Sequence, residues 1–276
     1  MRPILTIVAG VIAAVVALIA TSARLRAARR EQARLAEINR SQEEFLSIVS
    51  HELRTPVAGV VGFLQTTLDH WHQLDEDQRR ETLVRAAANA RRLQALTRDV
   101  LDVTNVERGT LSIALGPVEL GEELRTAVAA MRELDPARPI TLELPDEPIQ
   151  ARGDGDRLLQ VLLNLFENAS NSSPADAPID IRLVRTNGDA VVTVTDHGPG
   201  LAPGERTAVF EKFVRGRAAG IRGSGLGLFV CRKIIEAHGG KIWADDAPDS
   251  SGARFSFTIP AQPAAAVSAE EPAPVG

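Results

Sequence analysis

The sequence predicts an α+β fold: a helical hairpin that forms a dimeric four-helix bundle, followed by an α/β sandwich domain. Three observations predict it. Apolar residues recur three or four apart from Ser41 to Leu68 and again from Leu83 to Thr104, the period of amphipathic helices. The polar stretch HWHQLDEDQ at 70–78 separates the two stripes, so the helices fold back on one another. Beyond Gly109 short β-patterned runs interleave with helical ones, the texture of a sheet covered by helices.

The elements follow in order. Pro3 to Ala23 carries no charge, and these 21 residues would span about 31 Å as a helix, the thickness of a bilayer core. Arg24, Arg26, Arg29 and Arg30 follow at once while only Arg2 precedes, so the positive-inside rule places the C-terminal bulk in the cytoplasm. The expectation is a transmembrane anchor at 1–23, single-pass in the inner membrane, with no extracellular sensor domain ahead of it. The small residues ATSA at 20–23 would also suit a signal peptide, but the run is long and the charge lies on the wrong flank.

Residues 24–40 read as a helical linker, with Leu25, Ala28, Leu35 and Ile38 at near-heptad intervals. The hairpin occupies 41–109. Its first stripe is Phe45, Val49, Leu53, Pro56, Val60, Phe63 and Thr67, and its second Leu83, Ala86, Ala90, Leu93, Thr97, Val100 and Thr104. Two helices cannot bury both stripes, so a second copy is expected to complete a four-helix bundle, a homodimer.

The α/β domain is expected at 110–260. ITLEL (140–144), IDIRLV (179–184) and AVVTVTD (190–196) read as strands, the last two joined by a turn at Asn187-Gly188. DRLLQVLLNLFENAS (156–170) and GLGLFVCRKIIEAHG (225–239) read as helices, and KIWADD with ARFSFTIP closes the sheet. The Ala/Pro/Glu-rich end, 261–276, is expected to be disordered. Composition narrows the function: a net charge of −5 with both signs interspersed gives no bulk attraction to nucleic acid. The single cysteine, Cys231, excludes an internal disulfide or cysteine-clustered metal site and reads as a packing residue.

Three segments carry chemistry in the second domain. In NLFEN (164–168), Asn164 and Asn168 stand four apart on a helix, so their amides share a face and suit a hard cation or phosphate. In DHGPG (196–200), Asp196 ends a strand and Gly198 and Gly200 permit a close backbone approach; the carboxylate suits an exocyclic amine. In GSGLGL (223–228), Gly223, Gly225 and Gly227 lead into a helix whose free N–H groups suit anionic oxygens. Between the last two lies a basic span with Arg206, Arg215, Arg217 and Arg222 that could close over a phosphate. In this order the segments resemble the N, G1, F and G2 boxes of the ATPase superfamily that contains histidine kinases, DNA gyrase, a heat-shock chaperone and mismatch-repair ATPases.

That resemblance implies a Bergerat-type ATP-binding domain. Asn164 and Asn168 would hold Mg²⁺ and phosphates, Asp196 would read the adenine amine, and Gly198, Gly200, Gly223, Gly225, Leu226 and Gly227 would line the nucleotide pocket. Arg215 would contact the γ-phosphate.

HELRTP at 51–56, on the first helix of the hairpin, resembles the H box of sensor histidine kinases. The resemblance implies autophosphorylation of His51 and transfer to an aspartate of a response regulator receiver domain. An imidazole titrates near neutrality and so presents a lone pair to phosphorus, which makes His51 the nucleophile. Glu52 beside it is the proton acceptor. Thr55, four residues on, shares the face of His51 and could orient water for a phosphatase reaction. Pro56 deletes one helical hydrogen bond and lends the region freedom to rearrange.

The chain departs from the family pattern at Asn171 and Ser172, where a lysine and an aromatic are frequent, which implies weaker ATP binding. It departs again at His197, where asparagine is frequent. The missing sensor implies a separate sensor protein as partner. The alternatives are a degenerate kinase acting as a membrane-bound dimeric adaptor, and an ATPase that does mechanical work.

Overall fold

The computed structural model describes residues 31, 32, 36, 40, 43, 45–202, 204–214, 225–247 and 252–262. The expected anchor at 1–23 and most of the linker lie outside them, as does the tail beyond Gln262. Among the described residues no helix is long and apolar enough to cross a membrane. The chain divides after Thr55 into two compact units.

Helix α1 (residues 45–69) begins in the first unit and carries His51, Glu52 and Thr55. In the second unit its remainder pairs with α2 (Glu76–Glu107). Residues 70–75 make the turn, and Asp75 starts α2 with a reciprocal cap: its carboxylate accepts from the Gln78 N–H at 2.8 Å, and the Gln78 side chain accepts from the Asp75 N–H at 3.1 Å. The helices approach so closely that a Cβ on Gly59 would lie 2.6 Å from Asn89 Oδ1. Nearer the turn Thr67 donates to Thr82 at 2.8 Å.

Part of the second expected stripe is uncovered within one chain. Ala86 is buried, but Leu83, Ala90 and Thr97 are exposed, and the buried residues further along α2 are Leu96, Asp99, Asp102 and Val103. This rotated face meets the α/β domain: Asp102 accepts from Arg157 at 2.9 and 3.0 Å and from Gln160 at 2.7 Å. Lys212 pairs with Glu107 at the end of α2.

Among the described residues the α/β domain holds two sheets. Strands β1 (Gly116–Glu119) and β3 (Gln150–Gly153) form an antiparallel pair. The main sheet has the order β2-β4-β5-β7-β6, from β2 (Ile140–Glu143), β4 (Ile179–Thr186), β5 (Asp189–Thr195), β6 (Ile242–Asp246) and β7 (Ala253–Pro260). Among the described strands only β2 and β4 run parallel. Asn187 and Gly188 close the β4–β5 hairpin with φ of 52° and 89°, the two-residue turn whose twist matches the strands.

One face of the sheet is apolar: Ile179, Ile181 and Leu183 of β4, Ala190, Val192 and Val194 of β5, and Phe255, Phe257 and Ile259 of β7 are all buried. Over it pack α3 (Leu120–Leu134), α4 (Gly155–Ser172) and α6 (Gly227–Ala237), while a short α5 (Glu205–Ala208) lies in the connection before α6. Leu158, Val161, Leu162, Leu165 and Ala169 form the buried stripe of α4, which fixes which of its polar residues face outward. Arg206, read from sequence as one of the basic residues that could close over a phosphate, pairs with Asp246 of β6.

Candidate functional site

On α1 the His51 ring is three-quarters exposed, at 75%, and its Nδ1 lies 3.7 Å from Glu52 Oε1. The Glu52 side chain is mostly covered, at 12%. An adjacent carboxylate of this kind favours a proton on Nδ1 and leaves Nε2 as the outward lone pair. Thr55 Oγ1 sits 3.5 Å from the His51 carbonyl, the outer edge of a hydrogen bond, and the residue is exposed.

In the α/β domain Asp196 follows the last residue of β5 and is 1% exposed. Its Oδ1 accepts from the backbone of Gly198 at 2.9 Å and of Ala253 at 3.1 Å, while its buried Oδ2 has no partner. Burial pushes this carboxyl upward, opposed by the two N–H bonds and by His197. A buried acceptor left empty is costly, so Oδ2 is open to a donor such as an exocyclic amine.

The neighbouring glycines are dictated by space. A Cβ on Gly198 would lie 2.4 Å from the Ser172 carbonyl oxygen, and Gly200 adopts φ of 76° against Gly252. Gly225 has φ of 68° with the Phe213 backbone 2.9 Å from where its Cβ would be, and Phe213 donates its N–H to the Gly225 carbonyl at 2.9 Å. Leu226 is buried and caps α6, whose first residue is Gly227. Arg215 and Gly223 lie outside the described residues.

Asn164 and Asn168 project from α4, and Asn164 reaches across to α6, its Nδ2 3.5 Å from the Gly227 carbonyl. The first and third motifs therefore meet. Asp99 of α2 also meets Asn164: burial pushes its carboxyl up to about 7, Asp102 and Glu167 add to this, and Arg98 and a hydrogen bond from Asn164 oppose it. Among the described residues no cluster of three His, Cys, Asp or Glu side chains could hold a metal ion.

Sequence reasoning missed Asp99, Asp102 and Gly252. The aspartates carry a signal in retrospect: Leu96, Asp99 and Val103 share a helical stripe, so a carboxylate sits where an apolar residue is expected. Gly252 has φ of 116° and a Cβ there would lie 1.9 Å from the Asp196 carbonyl, a clash visible only once β5 and β7 are adjacent.

Comparison with known proteins identifies both parts of the chain. Residues 41–109 match the model of the His Kinase A (phospho-acceptor) domain, and residues 153–263 that of the histidine kinase-, DNA gyrase B- and HSP90-like ATPases. Sensor protein KdpD of Escherichia coli strain K12 is 34% identical over 241 residues, 86% of this chain and 26% of KdpD. The chain spans about a quarter of the length of the KdpD relatives it matches. Full-length ShkA in complex with AMPPNP superposes with a TM-score of 0.58 at 27% identity, over 81% of this chain and 47% of that one. Histidine kinase ThkA, solved in complex with the response regulator protein TrrA, superposes at 0.55 with 26% identity, over 79% of this chain and 61% of that one.

Proposed function

Because the chain belongs to the sensor histidine kinases of two-component systems, we propose that it is an ATP-dependent kinase that phosphorylates its own His51 and passes the phosphoryl group to an aspartate of a response regulator. The observation that carries this reading is the exposed His51 ring with Glu52 at 3.7 Å from Nδ1. His51 Nε2 attacks the γ-phosphorus of ATP, the bond to the bridging oxygen breaks, and its electron pair leaves with ADP. The ring, now cationic, loses its Nδ1 proton to Glu52. Phosphoryl transfer asks little covalent help beyond this, because positioning and neutralised charge supply most of the rate.

Asp196 holds the base, and the N–H groups at the start of α6 face the phosphates. The amides of Asn164 and Asn168 are neutral oxygen donors, a set that suits Mg²⁺ carrying phosphate oxygens and water. When bound, that ion would neutralise charge between the phosphates. The ThkA–TrrA complex is one of a kinase with its response regulator, which supports a receiver domain as the partner of His51. Thr55, exposed one turn from His51, would orient water for a phosphatase reaction on that partner.

The chain works as a homodimer through the hairpin at 41–109. The charge-free run at 3–23 with its arginine flank supports an inner-membrane anchor that keeps the catalytic part in the cytoplasm.

The test is incubation of the full chain with Mg²⁺ and γ-labelled ATP beside a His51→Ala copy. The expected result is acid-labile label on the wild type and none on the variant. Acid-stable label, or label that survives the substitution, would exclude His51 as the acceptor.

A further inference from the structure

We propose that His197 is a positioning residue for base recognition: its ring ties the turn carrying Asp196 to strand β4 and thereby fixes the carboxylate oxygen that accepts from the adenine amine. This rests on the reading of Asp196 as the base-binding residue. A lone acceptor discriminates between bases only if its direction is held, because a hydrogen bond weakens steeply off axis. Asp196 Oδ1 is already anchored by Gly198 and Ala253, and Oδ2 is the oxygen left for the ligand.

The next residue supplies a second set of ties. His197 Nε2 lies 2.9 Å from Asp180 Oδ2 on β4, and the His197 N–H donates to Ser173 Oγ at 3.2 Å, at the C-cap of α4. The turn 196–198 is thus held from β7 through Ala253, from β4 through Asp180 and from α4 through Ser173. The β4 tie is the one made wholly by side chains, so substitution can remove it without touching the backbone. Side-chain length matters here: a glutamine amide nitrogen occupies nearly the place of imidazole Nε2, whereas asparagine reaches only as far as Nδ1.

The experiment measures binding of ATP and of purine riboside triphosphate, which lacks the exocyclic amine, by competition with a fluorescent nucleotide on the full chain. Losing a hydrogen bond to a charged acceptor weakens binding roughly tenfold or more, so the wild type is expected to prefer ATP by that factor. His197→Ala should lower the preference to about threefold or less, mainly through ATP. His197→Gln should keep it, Asp180→Ala should match His197→Ala, and the double variant should be no worse than either.

An unchanged preference in His197→Ala, or equal weakening for both nucleotides, would overturn the positioning role. If His197→Ala does not fold, as judged by its melting transition, Asp180→Ala and His197→Gln decide the matter by the same ratio. A wild type that binds ATP without preferring the amine removes the role of Asp196 and this proposal together, yet leaves histidine phosphorylation standing. A wild type that binds no nucleotide removes the kinase reading itself.

Discussion

The residue with the sharpest electrostatic consequence is Asp99, a carboxyl on α2 that is 9% exposed and lies among Asp102, Glu167 and Asn164. Its ordinary value of 3.8 rises to about 7 in the folded chain, so the native state binds the proton more tightly than the unfolded one. The stabilising contribution is therefore complete below about pH 4 and is lost as pH rises toward 7. Asp99→Asn keeps the shape of the protonated form and removes the charge. The variant should melt close to the wild type at pH 4.5 and be more stable by of order 2 kcal/mol at pH 8. A difference in melting that does not vary with pH would show that Asp99 is not the titrating group.

Among elements, α2 illustrates what an N-terminal signal contributes. Asp75 and Gln78 satisfy one another's backbone N–H groups, and Glu76 and Asp77 add negative charge to the first turn. Asp75→Ala should destabilise the chain by about 1 kcal/mol in denaturant or thermal unfolding, and Asp75→Ser should restore most of it. No change on Asp75→Ala would mean that packing alone holds the helix start.

The same local logic explains which elements could be read from the sequence. Strands β4, β5 and β7 bury one face each, so Ile179/Ile181/Leu183 and Phe255/Phe257/Ile259 announce themselves by alternation. Helix α3 carries Leu120, Leu124, Ala127, Val128 and Met131 at helical spacing, but it starts with a glutamate cap and a glycine, neither a usual start signal. Strands β1 and β3 are four residues each and exist through a pairing more than thirty residues apart, which no local pattern encodes. The site divides likewise. Asp196 and its glycines belong to one contiguous stretch, whereas Asp180, Ser173 and Gly252 join them through tertiary contact alone.

At the scale of the whole molecule the hairpin leaves apolar surface uncovered. Val57, Val61, Leu64 and Leu68 stand four, three and four apart on α1 with exposures of 44%, 46%, 41% and 72%, beside the inward positions Pro56 and Thr67. On α2, Leu83, Val84 and Leu101 are exposed as well. Single exposed apolar residues need no partner, but a stripe at helical spacing on a two-helix layer lacks the second layer that buries such faces. A second copy supplies that layer in a four-helix bundle, with burial near 800 Å² per partner expected of a stable interface.

Val61→Glu combined with Leu64→Glu puts two charges into that contact without touching the nucleotide site or His51. In light scattering across a concentration series, the wild type should hold a dimer mass and the double variant should fall to the monomer mass. Leu134→Glu, at a comparably exposed residue of α3, should leave the mass unchanged, which separates loss of the stripe from a general effect of added charge. ATP binding should persist in the monomer, because Asp196, Asn164 and the start of α6 all belong to one chain. A double variant that stays dimeric would place the interface elsewhere and leave the α1 stripe to another partner.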